Sequence, residues 1–299
     1  MVNITCVSDL IKAIESEIDT LTLNLKVDEK LLFRGQSNNQ YEILPSVARQ
    51  PNSVIGNSLM FFESEIINNA MNSFPEIFQH NLTPINLLAK LQHYGIPTRL
   101  LDITENPLVA LYFACNQDLD KDGEFIVFFD KNAQPTNFGI INAIADTCNI
   151  YNKDFDGFIE SALTKDYFIN EKFRIMNRQK ENPDSYSNWL KGLFCEKEAS
   201  YIYIANMTQR QLLQSGKFLL FHNEWEAYKD EFYFNDKIKP IDKNNNIIRN
   251  RYTIPSANKK TILKQLNYIG INEKWLFSDS PDIGLNNITK YYKSRFILC

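Results

Sequence analysis

Leu87–Cys115, LLAKLQHYGIPTRLLDITENPLVALYFAC, is the stretch on which the reading of this chain turns. Leu87, Leu88 and Leu91 give an apolar helical period that breaks at Gly95-Ile96-Pro97, because glycine and proline punctuate regular structure. A dense polar cluster follows (Thr98, Arg99, Asp102, Thr104, Asn106), and an apolar helix resumes at Pro107, proline being well tolerated in a first helical turn. The polar side chains therefore stand at a junction between two buried helices. The N–H groups opening the second helix either take a cap from Thr104 or Asn106 or bind an anion. Polar groups between apolar segments need partners, so the cluster is either a structural hydrogen-bond knot or a site. Both readings stay open on these residues alone.

Working outward, Leu31-Leu32-Phe33-Arg34-Gly35-Gln36 reads as a short strand ending at a glycine. An arginine closing a buried strand is costly unless its charge is paired or holds an anion; the plainer reading is a surface arginine at a strand end. On the other side, Glu124–Asp130 is a continuous apolar run, the pattern of a central strand buried on both faces. Ser8 caps an expected helix over 7–19 with Leu10, Ile11, Ile14 and Ile18 at helical spacing. A helix over 57–80 carries Met60, Phe61, Ile66, Ile67 and Met71 as core. Ala199–Ala205, Lys217–His222 and Arg251–Pro255 read as strands, with a turn of helix over Gln209–Ser215 stopped by Gly216 and a short helix over 258–269. Residues 234–249 read as a polar loop, and 140–195 as helices and loops inserted over the core. The expected class is α+β, a single domain over 1–299 whose central mixed or antiparallel sheet is flanked by helices.

Composition narrows the chemistry. With 44% hydrophobic and 23% charged residues over 299 positions, the chain is not disordered. A net charge of -4 gives no global electrostatic case for nucleic acid, although a local basic groove is compatible with it. Five cysteines without CxxC spacing argue against a zinc site or disulfide scaffold and fit a reducing cytoplasm. The first residues carry acids too early for a signal sequence, and no apolar run approaches a bilayer span. The expectation is a soluble cytoplasmic protein with no membrane partner. Three histidines (His80, His93, His222) without HExxH or H-x3-H spacing lead to an expectation of no metal. P-loop and G-x-S-x-G patterns are absent from the sequence. His93 beside Tyr94-Gly95 is a candidate general acid or base, or a binder of a substrate hydroxyl; otherwise it is a hydrogen-bonded helix-end histidine. Arg99 and Asp102 either pair across a turn, or Arg99 faces a phosphate while Asp102 orients it.

Phe33-Arg34-Gly35-Gln36 followed by Leu44-Pro45-Ser46 resembles the opening motif of the FRG domain family. A second motif is closer still: Gln92-His93-Tyr94-Gly95, then Thr98-Arg99-Leu100-Leu101-Asp102, Thr104, Asn106-Pro107, Ala110 and Phe113-Ala114. Ile103 stands where family members usually have Trp. Arg210, Gln214, Gly216 and Phe218 are similar to the family's R-x3-Q-x-G-x-F. Leu276-Phe277 with Asp279, Asp282 and Gly284 resembles its C-terminal signature, with Ser278 in place of Pro and one residue inserted. The four motifs run in order over about 31–285.

The motif order also resembles, more distantly, ADP-ribosyltransferases of the arginine-serine-glutamate kind. These open with an Arg-Gly strand and continue with a Ser/Thr-rich strand leading into an A-x2-F-A helix, a layout similar to Arg34-Gly35, Thr98 or Thr104, and Ala110–Ala114. The resemblance implies an ADP-ribosyltransferase-like core that uses NAD as substrate. Arg34 would then hold the phosphates or the nicotinamide ribose, and Thr98 or Thr104 would buttress the nicotinamide pocket. It implies NAD contacts at Arg34, Gly35, Gln36, Thr98 and Thr104, and a catalytic set of Arg34, His93, Thr98, Arg99, Asp102, Thr104 and Gln214. Such transferases place a Glu near the third motif; the neighbourhood offers Gln211, Gln214, Glu196, Glu198, Glu224 and Glu226 without choosing among them. The activity implied is NAD-dependent ADP-ribosyl transfer to a protein or RNA acceptor, by a bacterial toxin or phage-defence effector that an antitoxin or chaperone partner could neutralise. The alternatives are a non-catalytic nucleotide- or partner-binding module, or a nuclease using Asp102, His93 and Asp279 or Asp282.

Overall fold

The middle strand of the sheet is the one that carries Arg34. In chain order the strands are β1 (Val2–Asn3), β2 (Lys30–Gln36), β3 (Leu100–Thr104), β4 (Gly123–Asp130), β5 (Ala199–Ile202), β6 (Gly216–Phe221), β7 (Trp225–Tyr228), β8 (Glu231–Phe234) and β9 (Ile248–Ile254). Seven of them form one sheet in the order β1-β9-β4-β2-β3-β6-β5, and β7 and β8 form a separate hairpin. Every neighbouring pair is antiparallel except β1 with β9, so the sheet is mixed and the class is α+β. The computed structural model describes residues 2–22, 29–49, 59–78, 81–131, 138–150, 153–169, 177, 180–203, 208–228 and 231–278.

The helices are α1 (Val7–Thr22), α2 (Glu63–Ser73), α3 (Pro84–His93), α4 (Pro107–Cys115), α5 (Phe138–Ala145), α6 (Phe155–Leu163), α7 (Pro183–Phe194), α8 (Gln209–Leu213), α9 (Ser256–Tyr268) and α10 (Glu273–Leu276). Helix α4 is apolar all round, as a helix buried on all sides must be; it packs with Phe33, Phe125, Val127 and Ile254 of the sheet and with Ile262 and Leu266 of α9. Beside it, α3, α5, α6 and α7 close over β3 and β6 through Leu88, Ile144, Phe158 and Phe194 against Leu100, Phe218 and Leu220. The opposite face takes Leu32, Ile126, Phe128, Leu101 and Phe221 under Ile43, Val47, Met60 and Ile241. Strand β4 thus feeds both layers, and its continuous apolar run is explained.

Two expectations change. The polar cluster after Pro97 is not a bare junction between helices, because Leu100–Thr104 is a full strand, paired with β6 over five positions. The expected helix over 57–80 is a 3-10 turn (Leu59–Phe62) leading into α2, which ends at Ser73. Met60 and Ile67 are buried, but Phe61 is 63% exposed and belongs to no core. The helices of 140–195 share their core with α3 and the sheet, so they complete one face of the fold. Among the described residues no helix is long and apolar enough to cross a membrane.

The Arg-Gly strand owes its glycine to close packing. A Cβ on Gly35 would stand 1.8 Å from the Ala110 carbonyl oxygen and 2.5 Å from the Ala114 amide nitrogen. Helix α4 lays its backbone directly on β2, which also explains small residues at Ala110 and Ala114, one turn apart.

Candidate functional site: a cleft at the parting of β2 and β3

The sheet opens beside its middle strand. β2 pairs with β4 along all seven residues but meets β3 at one pair, Phe33 opposite Thr104. Continued pairing would set Gly35 against Asp102. Instead the Asp102 carbonyl accepts from Arg34 Nη1 at 2.6 Å. The strands part there, and a cleft of about 1280 Å³ runs through the opening. It takes residues from both sheet faces (Arg34 and Gln36, Leu100 and Asp102), as a gap between strands must. That volume exceeds the ~300–1,000 Å³ of ordinary small-molecule pockets.

Among the described residues three guanidinium groups line it: Arg34 on β2, Arg49 beyond the Ser46–Ala48 turn and Arg210 on α8. Arg210 lies over the Phe277 ring at 4.4 Å, and Phe277 meets Phe113 of α4 edge-on. Crowding at the cleft floor pulls the Arg34 guanidinium down to about 10, with Asp102 working against that fall and Arg49 adding to it. It remains a cation at neutral pH. Its Nε is buried without a hydrogen-bond partner.

Asp102 faces these cations. Protein surrounds its carboxylate on most sides, and this crowding raises its pKa, a rise that Arg34, Arg210 and the Gln92 amide offset only in part. The residue nevertheless keeps ample solvent contact, so it is walled in by a cleft and not sealed. Gln92 Nε2 donates to Asp102 Oδ2 at 2.8 Å.

The other expected site residues divide. His93 lines the cleft from the end of α3 and stacks edge-on against Tyr94. Thr104 and Gln214 line it and also join the second motif to the third: Thr104 Oγ1 donates to the Gln214 carbonyl at 2.6 Å and accepts from Asn106 N–H at 2.9 Å. Asn106 caps α4 by accepting from Leu108 N–H. Gln214 Nε2 donates to the Leu276 carbonyl, so the weak fourth motif lies beside the third. Gly35 and Gln36 line the cleft at the end of β2. Thr98 is 1% exposed and stands behind Gln92, not at the cleft surface.

Arg99 is elsewhere. It is fully buried, gripped by both Glu63 carboxylate oxygens and donating to the Ile144 carbonyl and Asn223 Oδ1. Burial opposes its charge and Glu63 overrides that, holding the guanidinium above its ordinary value. It neither pairs with Asp102 nor meets the cleft, because it stands just before β3 with its guanidinium committed to Glu63, Ile144 and Asn223. Both readings of that pair are corrected.

Of the residues considered for the third motif, Glu196, Glu198, Glu224 and Glu226 do not line the cleft, whereas Gln211 and Gln214 do; among the described residues the carboxylates on it are Asp102 and Glu42. Glu226 instead accepts from Asn235 and Glu198 from Asn245. Asp279, Asp282 and Gly284 lie outside the described residues.

Two contributors were not singled out from sequence. Arg49 follows the Leu44-Pro45-Ser46 motif, and that proximity was the available signal. Lys259, read only as part of a basic-to-apolar helix, is fully buried and spends its ammonium on the carbonyls of Ser37, Gln117 and Asp118. It bolts the loop after β2, from which Gln40, Tyr41 and Glu42 form one cleft wall, to the loop after α4.

Residues 29–123 match the FRG domain family, a segment that runs through β2, α2, α3, β3 and α4 to the start of β4 and contains the first two motifs. Neither the curated proteins nor the solved structures compared with the chain give a match.

Proposed function

We propose that the cleft binds a dinucleotide of the NAD type and that the chain transfers its ADP-ribosyl group to a macromolecular acceptor, protein or RNA. The observation that carries this reading is the convergence of three arginines on one solvent-touched carboxylate in an opening large enough for two nucleotides. Guanidinium groups recognise phosphate through charge-assisted hydrogen bonds, and Arg34, with an unused Nε, is the first candidate. In the transfer, the bond between the ribosyl C1′ and the nicotinamide nitrogen breaks. Its electron pair leaves on nicotinamide, and the acceptor's nucleophilic atom bonds C1′ and gives up its proton to water. Positive charge builds on the ribosyl ring, and an ionised carboxylate fixed beside it favours that state. Asp102 takes this role, with no acid from the third motif required. The resemblance of 29–123 to the FRG domain adds the reading of a bacterial toxin or phage-defence effector.

A binding module without chemistry is the second reading, favoured by Arg34 committing Nη1 to the Asp102 carbonyl. Purified protein and an Arg34→Ala variant, given labelled NAD with lysate protein or RNA, separate the two. Transfer predicts label on one acceptor class, lost in the variant, and NAD binding about tenfold to a hundredfold weaker once a charge-assisted contact of about 1.5–3 kcal/mol is gone. NAD held but never consumed selects the binding module for NAD; no NAD binding by folded protein overturns the transfer reading and leaves a module for another nucleotide or partner.

A further inference from the structure

We infer that Gln92 and Thr98 form a directional hydrogen-bond relay that holds the Asp102 carboxyl as an aimed acceptor at the cleft surface. They are positioning residues that act through Asp102, and the inference rests on the reading of that carboxylate given above. The direction is set at the cleft end, where a carboxylate oxygen of Asp102 accepts from Gln92 Nε2 at 2.8 Å. Gln92 Oε1 is thereby turned inward, and the Thr98 hydroxyl, which accepts from the Leu100 backbone N–H at 3.2 Å, gives it its one proton. Turned over, the amide would press Oε1 against the carboxylate, two acceptors face to face. Thr98 is itself held by Ser46 Oγ, which accepts from its N–H at 3.3 Å, so the relay is anchored in the core and ends at the cleft.

The charged groups that face Asp102 are Arg34 from β2, Arg210 from α8 and Arg49 beyond the Ser46–Ala48 turn; His93 of α3 lines the same cleft. Their attraction is not directional. The relay supplies the direction, by tying one carboxylate oxygen to Gln92. Thr98 thereby acts through Gln92 and Asp102, and not on the nicotinamide pocket where the ADP-ribosyltransferase resemblance would put it.

The test reads Asp102 itself. The protein is labelled with ¹³C at aspartate carboxyls, the Asp102 signal is assigned by its loss in Asp102→Asn, and its titration is followed in four chains: unaltered, Gln92→Met, Thr98→Val and Thr98→Ser. The relay predicts a midpoint raised by about one pH unit in Gln92→Met, as expected when an ionised carboxylate loses a donor. It predicts a smaller rise in Thr98→Val and a return to the unaltered value in Thr98→Ser, which keeps the hydroxyl. Where NAD is consumed, the acid limb of its pH profile moves with the midpoint. Gln92 is half-exposed on the cleft wall, so Gln92→Met keeps the proposal falsifiable even if Thr98→Val does not fold. An unchanged midpoint in folded Gln92→Met overturns the relay. A raised midpoint in a chain that consumes no NAD upholds the relay and removes the transfer reading instead.

Discussion

Arg99 and Arg34 make opposite use of the same side chain. Arg99 is sealed, with Glu63, Asn223 and a backbone carbonyl taking its donors and no surface left over. Arg34 sits where two strands part, with one donor on a carbonyl and Nε without a partner. A satisfied buried guanidinium holds parts of a fold together; an unsatisfied one at the edge of an opening is ready for a ligand. The difference lies in the neighbours, since each arginine stands in an apolar stretch and within a family-like motif.

The contrast breaks first at Arg99. Arg99→Ala leaves the Glu63 carboxylate buried without its partner, and the expected cost is about 3–5 kcal/mol of unfolding free energy in urea titrations. A cost under about 1 kcal/mol would mean that the sealed knot is not what joins α2 to β3.

Next comes His222, which adjoins Asn223 in the same sealed region. Its ring is fully enclosed, Nδ1 faces the Phe194 carbonyl and Nε2 meets the Ser200 hydroxyl. The carbonyl can only accept, so Nδ1 carries the proton and Nε2 accepts from Ser200. Burial lowers its pKa from 6.5 to about 4. The unfolded chain therefore takes up a proton near pH 6.5 that the folded chain refuses until about pH 4, and stability is intact above that window and falls as pH drops through it. The group is worth roughly 3 kcal/mol across the window. His222→Gln, which stays neutral, should flatten that part of the stability-against-pH curve, and an unaltered slope would show that the ring is protonated in place.

The smallest effect is expected at Arg34. Arg34→Ala loses one bond to a carbonyl and relieves a crowded charge, so urea titration should place it within about 1 kcal/mol of the unaltered chain. A loss as large as that of Arg99→Ala would erase the contrast and make Arg34 a structural arginine.

Much of the sheet was legible in the residues. β4 followed from an apolar run and β2 from a short apolar stretch closed by Arg-Gly, and these two and β6 agree to within one residue at each end. β9 starts three residues before the expected Arg251, and of the expected Ala199–Ala205 strand Ala199–Ile202 is β5 while 204–205 lie outside the described residues. β3 was hidden because Leu100–Thr104 alternates imperfectly, with Thr98 and Arg99 polar yet buried just before it. The β7–β8 hairpin left no run long enough to see. The site was half legible: Arg34, Asp102, His93, Thr104 and Gln214 do line one cleft, while Thr98 and Arg99 lie behind it.

The amino-acid sequence by itself determined where the chain must turn, which runs must be buried, and that the FRG-like motifs carry polar groups needing partners. Local period and side-chain chemistry suffice for that, because they act between residues near in the chain. Only the tertiary structure decided which partner each polar group received. Glu63 lies thirty-six positions from Arg99, and Arg34 sixty-eight from the Asp102 carbonyl it holds. No spacing rule reaches so far. The same two kinds of group, arginine and carboxylate, became a sealed knot in one place and an open cleft in another because β3 pairs fully with β6 and parts from β2 after a single residue pair.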